Sequence, residues 1–195
     1  GRPVLKRAQV LGALTELYRT VAIAGTHGKT TTTAMAGLAL AATGADPTIM
    51  AGGEIPELES GARIGRSDLL VVEADEFDRS FLNFSPAVSV VTNIQPDHLD
   101  YFGNASQVEA AFAAFLDRVG PDGAVIYCAD DLVASDLASR SGRSTVSYGA
   151  NSQADNRLLA RRPRAGGPQE VEYALGRSKF SVRLPPPGQH YALNA

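Results

Sequence analysis

One stretch decides the fold of this 195-residue chain: Val21-Ala22-Ile23-Ala24-Gly25-Thr26-His27-Gly28-Lys29-Thr30-Thr31. It begins as an apolar strand, passes through a loop of small residues and ends in a Gly-Lys-Thr sequence that opens a helix continuing to about Thr43. Glycines allow backbone N–H groups to approach an anion closely, and a helix N-terminus adds partial positive charge. The pattern therefore predicts a phosphate-binding loop.

The spacing of this loop is tighter than the general phosphate-loop pattern, because Ile23 stands where that pattern has its first glycine. Lys29 can reach the outer phosphates of a nucleotide, and the Thr30 hydroxyl can ligate magnesium. A strand, a glycine turn and a helix also occur together as plain α/β architecture. The lysine at the mouth of the helix and the threonine run 30–33 favour the nucleotide site.

Apolar runs alternate with helical periodicity between about residues 20 and 149, which predicts a mostly parallel sheet with helices on both faces, a P-loop type of α/β fold. A capping box of Ser106 and Glu109 predicts the start of the best-defined helix. Later segments of mixed polarity predict a small antiparallel β subdomain, about 151–186, with one face exposed to solvent. The predicted parallel strands are 21–24, 48–50, 69–73, 88–92, 124–128 and 145–148, and the antiparallel strands are 156–161, 170–175 and 178–184.

The composition argues against several classes of protein. A net charge of −3 and a pI near 5.6 argue against binding of nucleic acid. The single cysteine, Cys128, lies in an apolar run, so we expect a buried thiol and no disulfide framework. Neither a membrane-spanning stretch nor the apolar segment of a signal peptide is evident, so we expect a cytoplasmic protein with no membrane partner.

Acidic side chains follow the predicted strand 69–73. Glu73 ends that strand, and Asp75, Glu76 and Asp78 follow it. Ligands collect at the carboxyl ends of parallel strands, and carboxylates this dense repel one another unless water or a hard cation separates them. Glu73 is therefore the candidate magnesium ligand, and a solvated acidic turn is the alternative.

A histidine and two carboxylates, Asp97, His98 and Asp100, follow the predicted strand 88–92. Their position at a strand exit predicts a metal or phosphate role for His98. The alternative is that Asp97 or Asp100 caps the helix that follows.

Together, four parts of the chain resemble the Mur ligases, ATP-dependent amide-forming enzymes that build the peptide of bacterial cell-wall precursors. Segment 25–31 resembles the family's phosphate loop, 73–82 its acidic strand end, and 92–100 its histidine segment. Residues 187–190 with 193–195 resemble the turn that meets the adenine. The combination is most similar to the alanine-adding branch, and a branch that recycles whole peptides onto the same sugar is the alternative.

The resemblance implies a protein of three domains, of which this chain covers the central ATP-binding domain, residues 20–195, truncated before its last helices. Residues 1–19 would lead out of a missing N-terminal domain that holds the UDP-sugar. The implied cofactors are ATP and two Mg²⁺ ions. The implied partners are UDP-N-acetylmuramate and L-alanine, which bind through the missing domains, so we expect this fragment to be inactive alone. A regulatory nucleotide switch and a non-catalytic nucleotide-binding module are the alternatives from other classes.

The resemblance also implies roles for individual residues. Lys29 and His98 would be catalytic, and Thr30, Glu73 and His98 would hold metal. Two positions depart from the family pattern, since Tyr191 replaces an asparagine, and Phe112 stands where sister ligases carry a carbamylated lysine. The nucleotide-binding residues would be Gly25, Thr26, His27, Gly28, Lys29, Thr30, Thr31, His190 and Asn194.

Overall fold

The computed structural model describes residues 4–164, 167–185 and 188–195. Gly1, Arg2 and Pro3 of the predicted linker lie outside these ranges, as do Pro186 and Pro187 of the predicted adenine turn. The helices are α1 (Arg7–Leu17), α2 (Lys29–Ala42), α3 (Leu99–Phe102), α4 (Ala105–Leu116), α5 (Leu132–Arg140) and α6 (Gln189–Asn194), and 3-10 helices span Pro56–Leu58 and Phe77–Asn83. The strands are β1 (Arg19–Ala24), β2 (Thr48–Ile55), β3 (Ser60–Arg63), β4 (Leu69–Glu73), β5 (Val88–Val91), β6 (Ala124–Cys128), β7 (Ser144–Gly149), β8 (Asn156–Arg162), β9 (Gln169–Leu175) and β10 (Ser178–Leu184).

All of these strands belong to one ten-stranded sheet with the order β10-β9-β8-β7-β6-β5-β1-β4-β2-β3. The strands from β2 through β4, β1, β5 and β6 to β7 pair in parallel, which confirms the predicted fold class. β8, β9 and β10 pair antiparallel as predicted, and β8 joins β7 through a short parallel pairing. They therefore continue the main sheet and do not form a sheet of their own.

The central strands are buried on both faces. Ile23, Val71 and Val90 face α2, where Ala36 and Leu40 pack against them. Residues on the other face pack against α4 and α5, in a core that contains the stacked rings of Phe81 and Phe115, 4.7 Å apart. Burying each such side chain stabilises the fold by about 1.5–3 kcal/mol. The packed centre of the sheet therefore fixes the positions of the residues at its edge.

The structure corrects two details of the sequence analysis. The capping-box prediction is wrong, because Asn104 caps α4 by accepting a hydrogen bond from the Gln107 N–H (3.1 Å), and Ser106 is already inside the helix. The sequence analysis also missed β3, a short edge strand of polar and small residues.

Two further features bear on the expectations from composition. Cys128 is buried with a free thiol, as predicted, and this burial raises its pKa. Within the described ranges, no helix combines the length and the apolar character that crossing a bilayer requires.

Candidate nucleotide and metal site

The predicted phosphate loop connects β1 to α2 at the carboxyl edge of the sheet. Gly28 is the N-cap of α2 and has left-handed backbone angles, φ 84° and ψ 0°. Having no side chain, it leaves the first N–H groups of the helix without a side-chain cap, and such groups are donors for an anion. Lys29, Thr30 and Thr31 form the first turn of α2, and His27 is exposed.

Residues that follow β5 clamp this loop. The backbone N–H of His27 donates to Asn93 Oδ1 (2.9 Å), and Asn93 Nδ2 donates back to the His27 carbonyl (3.0 Å). The Thr26 N–H donates to the Asn93 carbonyl (3.0 Å), and Thr92 Oγ1 donates to the His27 carbonyl (2.7 Å). Hydrogen bonds with Thr92 and Asn93 therefore fix the conformation of the loop in the absence of a ligand.

The first glycine of the loop cannot be replaced without distortion. Gly25 has φ +141°, and a Cβ built on it would lie 2.0 Å from Thr92 Oγ1. Thr92 approaches this closely because its hydroxyl bonds the carbonyls of Ala24, at the end of β1, and of His27, in the loop. The sequence analysis placed Thr92 and Asn93 only in a family-like segment, although two polar residues directly after a buried strand were a usable signal.

The structure brings Thr30 and Glu73 together. β1 and β4 are neighbours in the sheet, and their register pairs Ile23 with Glu73, so the carboxylate stands beside the start of the loop. Thr30 Oγ1 donates a hydrogen bond to Glu73 Oε2 at 2.8 Å, and the Gly52 N–H donates to the same oxygen at 2.6 Å. A hydroxyl and a carboxylate oxygen are the hard donors that Mg²⁺ prefers, so this pair fits a magnesium ion.

Lys29 is held by three acceptors. Its Nζ donates to the Gly25 carbonyl (2.7 Å), to the Thr26 carbonyl (3.3 Å) and to Glu76 Oε2 (2.7 Å). The side chains of Lys29 and Glu76 are 14% and 3% exposed, so this ion pair is largely removed from water. The sequence analysis counted Glu76 only as part of the acidic run and did not name it as a site residue.

His98 lies beside the acidic segment, but it does not hydrogen-bond Thr30 or Glu73. It has left-handed backbone (φ 52°), and its N–H donates to Asp97 Oδ1 at 2.7 Å. Its ring packs edge-on against Phe77, with centroids 5.2 Å apart. α3 starts at this point without a side-chain cap, so the alternative that Asp97 or Asp100 caps that helix is wrong.

The described part of the chain contains no group of three or more His, Cys, Asp or Glu side chains that could hold an ion by themselves, so a first or a second metal here would share its ligands with phosphate or water. Phe112, which the family resemblance aligns with a carbamylated lysine, is fully buried and packs edge-on against Phe81 at 5.3 Å. It belongs to the core below the site.

α6 brings the predicted base-binding residues toward the loop. Asn194 lies against Gly28, since a Cβ on that glycine would be 2.8 Å from Asn194 Nδ2. His190 is exposed, with its ring 4.3 Å from that of Tyr191. The Tyr173 hydroxyl anchors the helix by donating to the Ala192 carbonyl (2.6 Å), and burial raises the pKa of Tyr173 to about 12.

A cavity of about 340 Å³ opens beside Asn194. α2, the ends of β7 and β8, β9 and α6 contribute to its walls, which are mostly apolar. Its size and lining are typical of sites that bind small organic molecules.

Comparison with known proteins identifies this architecture. The family model described as the Mur ligase middle domain matches residues 23–195. The UDP-N-acetylmuramate–L-alanine ligase of Salinispora arenicola is 46% identical over 198 residues, which cover 100% of this chain and 39% of that protein. The chain thus spans less than half the length of the curated relatives that it matches.

Solved structures share the fold. A UDP-N-acetylmuramate–alanine ligase from Thermotoga maritima has a TM-score of 0.78 at 27% identity, covering 96% of this chain and 41% of that one. A UDP-N-acetylmuramate:L-alanyl-gamma-D-glutamyl-meso-diaminopimelate ligase from Neisseria meningitides has a TM-score of 0.83 at 21% identity, covering 96% and 62%. A MurF ligase from Thermotoga maritima in complex with ADP has a TM-score of 0.77 at 19% identity, covering 99% and 48%.

Proposed function

The chain belongs to the Mur ligase family through its middle domain, and on that premise we propose that it is the nucleotide-binding part of an ATP-dependent ligase that joins L-alanine to UDP-N-acetylmuramate in peptidoglycan precursor synthesis. The observation that carries the proposal is the contact between Thr30, in the first turn of α2, and Glu73, at the end of β4. It sets a magnesium-binding pair next to Lys29 and the first turn of α2.

In this proposal, residues 20–195 are the central domain, and residues 1–19 lead out of a preceding domain that binds the UDP-sugar. The 46% identity to the alanine ligase favours the alanine-adding branch over the branch that recycles peptides. The substrates would meet the nucleotide through domains beyond this chain, so the isolated chain would bind nucleotide without ligating. A cytoplasmic location follows from those substrates.

Amide formation from a carboxylate is unfavourable in water, so the carboxylate must first be activated. A carboxylate oxygen of UDP-N-acetylmuramate attacks the γ-phosphorus of ATP, ADP leaves, and an acyl phosphate forms. The amine of L-alanine then attacks the acyl carbon, and inorganic phosphate leaves. In such a transfer the protein mainly positions the reactants and neutralises charge.

Each residue of the loop has a part in this scheme. Lys29 would bridge the β- and γ-phosphates, and the amides near Gly28 would donate to phosphate oxygens. Thr30 and Glu73 would hold Mg²⁺, which when bound screens the charge of the phosphates. His98 would help to hold a second Mg²⁺ near the γ-phosphate.

The base of the nucleotide would lie at the other side of the loop. Asn194 touches Gly28 and borders the cavity of about 340 Å³, so it can contact the nucleotide and the loop together. We propose that the adenine lies in this cavity, and that His190, in the same helix as Asn194, contributes to the base end of the site. Thr26, His27 and Thr31 would complete the phosphate end of the site.

The experiment that tests the proposal is a titration of the chain with ADP, in Mg²⁺ and in EDTA, for the parent chain and two variants. In the parent, Mg²⁺ should tighten ADP binding by about tenfold or more, and Glu73→Gln should remove most of that gain, because an amide is a poor magnesium ligand. Glu57→Gln is the matched control, since Glu57 is exposed and lies in the 3-10 helix Pro56–Leu58.

An unchanged magnesium effect in Glu73→Gln would contradict the metal assignment, and absence of ADP binding by the parent would contradict the function itself. In a three-domain version of the protein, phosphate release should require both UDP-N-acetylmuramate and L-alanine. Phosphate release that does not depend on L-alanine would contradict the assignment to the alanine-adding branch.

A further inference from the structure

We propose that Glu76 is the resting counter-ion of Lys29, which nucleotide phosphate must displace, so that Glu76 limits the affinity of the phosphate loop for nucleotide. The inference rests on the proposed nucleotide function of the loop. It assigns a role to a carboxylate that has none in the proposed binding of metal and phosphate.

The hydrogen bonds of Lys29 are fully occupied in the structure. An ammonium group has three N–H donors, and the Nζ of Lys29 has three acceptors: the carbonyls of Gly25 and Thr26 and the Glu76 carboxylate. A phosphate oxygen can therefore bond Lys29 only by replacing one of these acceptors. Nucleotide binding at this loop therefore exchanges one protein acceptor of Lys29 for a phosphate oxygen.

Glu76 is the acceptor that opposes the exchange most strongly. It alone among the three carries a charge, and its side chain is 3% exposed. Its second oxygen, Oε1, is buried without a hydrogen-bond partner in the described structure. When Lys29 moves away, this carboxylate becomes a buried and unpaired charge, which is costly.

The fold places Glu76 where it can compete. β4 ends at Glu73, and the chain then turns so that the Arg79 N–H donates to the Glu76 carbonyl (3.0 Å). One strand end thus delivers Glu73 to Thr30 and Glu76 to Lys29. Both contacts occupy groups that the nucleotide and its metal would take over.

The expected consequence is a reduced apparent affinity. A site whose competent form is only partly populated binds with its intrinsic dissociation constant divided by the competent fraction. Lys29 is free for phosphate only when it leaves Glu76. Removing the charge of Glu76 should therefore tighten nucleotide binding, whereas a carboxylate that merely aims Lys29 at phosphate would weaken binding when removed.

The test is calorimetric titration of the chain with a non-hydrolysable ATP analogue in Mg²⁺, for the parent and for Glu76→Gln, which keeps the side-chain shape. Glu76→Gln should lower the Kd about fivefold to tenfold while lowering the Tm of the nucleotide-free chain, because the ion pair is lost. A purely structural role would lower the Tm without tightening binding. An equal or higher Kd would overturn the proposal.

Two matched variants isolate the effect. Asp78→Asn removes the same charge two residues away, but Asp78 pairs with the exposed Lys6 at 3.5 Å, so the Kd should stay within about twofold. Asp46→Asn removes a carboxylate that pairs with Arg63 and Arg66, so the Tm should fall with the Kd unchanged. A Kd that falls equally in Asp78→Asn and Glu76→Gln would overturn the proposal in favour of general charge repulsion.

Failure of this inference and failure of the proposed function give different results. If the parent does not bind the analogue, the proposed function fails; if it binds but Glu76→Gln binds no more tightly, only the inference fails. Should Glu76→Gln not fold, a crystal structure of the parent with the analogue decides the matter. Lys29 Nζ should then have left Glu76 for the phosphates, and an intact 2.7 Å contact would overturn the proposal.

Discussion

The two ends of the proposed nucleotide site are built differently. The phosphate end rests on β1, β4 and β5, which are mostly buried, and its loop is tied by several hydrogen bonds to Thr92 and Asn93. The base end rests on α6, held by the Tyr173 hydroxyl and the Gln169 side chain, at the side of the sheet that ends in the largely exposed β10. The backbone of the phosphate loop is therefore held in place before nucleotide binds, and only the Lys29 side chain has to exchange its partner. We expect the phosphate end to supply most of the binding energy and to tolerate substitution least.

Nucleotide affinity should change most at the phosphate end. Lys29→Ala should weaken binding of MgATP by about a hundredfold, because charge-assisted hydrogen bonds to phosphate are lost, at roughly 1.5–3 kcal/mol each. Titration calorimetry measures the change. Lys179→Ala, an exposed lysine of β10, is the control and should bind like the parent. If the two variants bound equally well, Lys29 would have no role in holding phosphate.

The second prediction compares two glycines. Gly25→Ala should lower the free energy of unfolding by about 3 kcal/mol, because the new Cβ meets Thr92 Oγ1 and the backbone is left-handed. Gly176→Ala, in the turn between β9 and β10, should cost about 1 kcal/mol, because its φ is +56° but no atom lies within 4 Å of the added Cβ. Urea denaturation measures both. Equal losses would show that the phosphate loop is no more constrained than a surface turn.

A substitution at the base end should have a smaller effect on nucleotide binding. Tyr173→Phe removes the hydrogen bond to the Ala192 carbonyl and should lower stability by about 1 kcal/mol. Nucleotide affinity should fall by only about threefold, the equivalent of less than 1 kcal/mol. Tyr127→Phe is the control, since the described structure gives the Tyr127 hydroxyl no hydrogen bond. A loss of affinity as large as that of Lys29→Ala would reverse the ranking of the two ends.

The smallest expected effect is a pH dependence at the contact between β7 and the residue that precedes β8. Asp155 accepts hydrogen bonds from the N–H and Oγ of Ser147 (2.8 and 2.7 Å), which hold the pKa of its carboxyl below the ordinary 3.8. Near pH 3.8 the unfolded chain therefore binds more protons than the native chain. The stability that these hydrogen bonds contribute is present above that pH and is lost on acidification. Between about pH 5 and pH 3, Asp155→Asn should therefore lose less stability than the parent, with Ser147→Ala in between. Urea unfolding at a series of pH values measures this, and the same change in the free energy of unfolding with pH in all three proteins would contradict the assignment.

Much of the phosphate end could be predicted from the sequence, because it follows from local rules. An apolar run before Gly25 marks a buried strand, and a glycine before Lys29 marks an uncapped helix start. Glu73 could be predicted because the carboxyl ends of neighbouring parallel strands share an edge, and the register of β1 with β4 confirms that neighbourhood.

Other contacts depend on turns that no periodicity describes. The left-handed angles of Asp78 and Arg79, φ 52° and 54°, shape the turn after Glu76, and nothing in the acidic run shows which carboxylate faces Lys29. The clamp by Asn93 depends equally on tertiary structure, since it joins residues 66 positions apart. The contact of Asn194 with Gly28 needs both α6 and the loop in place.

We expect Thr30 and Glu73 to share a metal ion with a bound nucleotide. The most direct measurement is an anomalous difference map from crystals of the chain grown with Mn²⁺ and a non-hydrolysable ATP analogue. A manganese peak should lie at direct-ligation distance from Thr30 Oγ1 and the Glu73 carboxylate, next to the phosphates. Bound nucleotide with no metal at Glu73, or with its phosphates away from the loop, would contradict it.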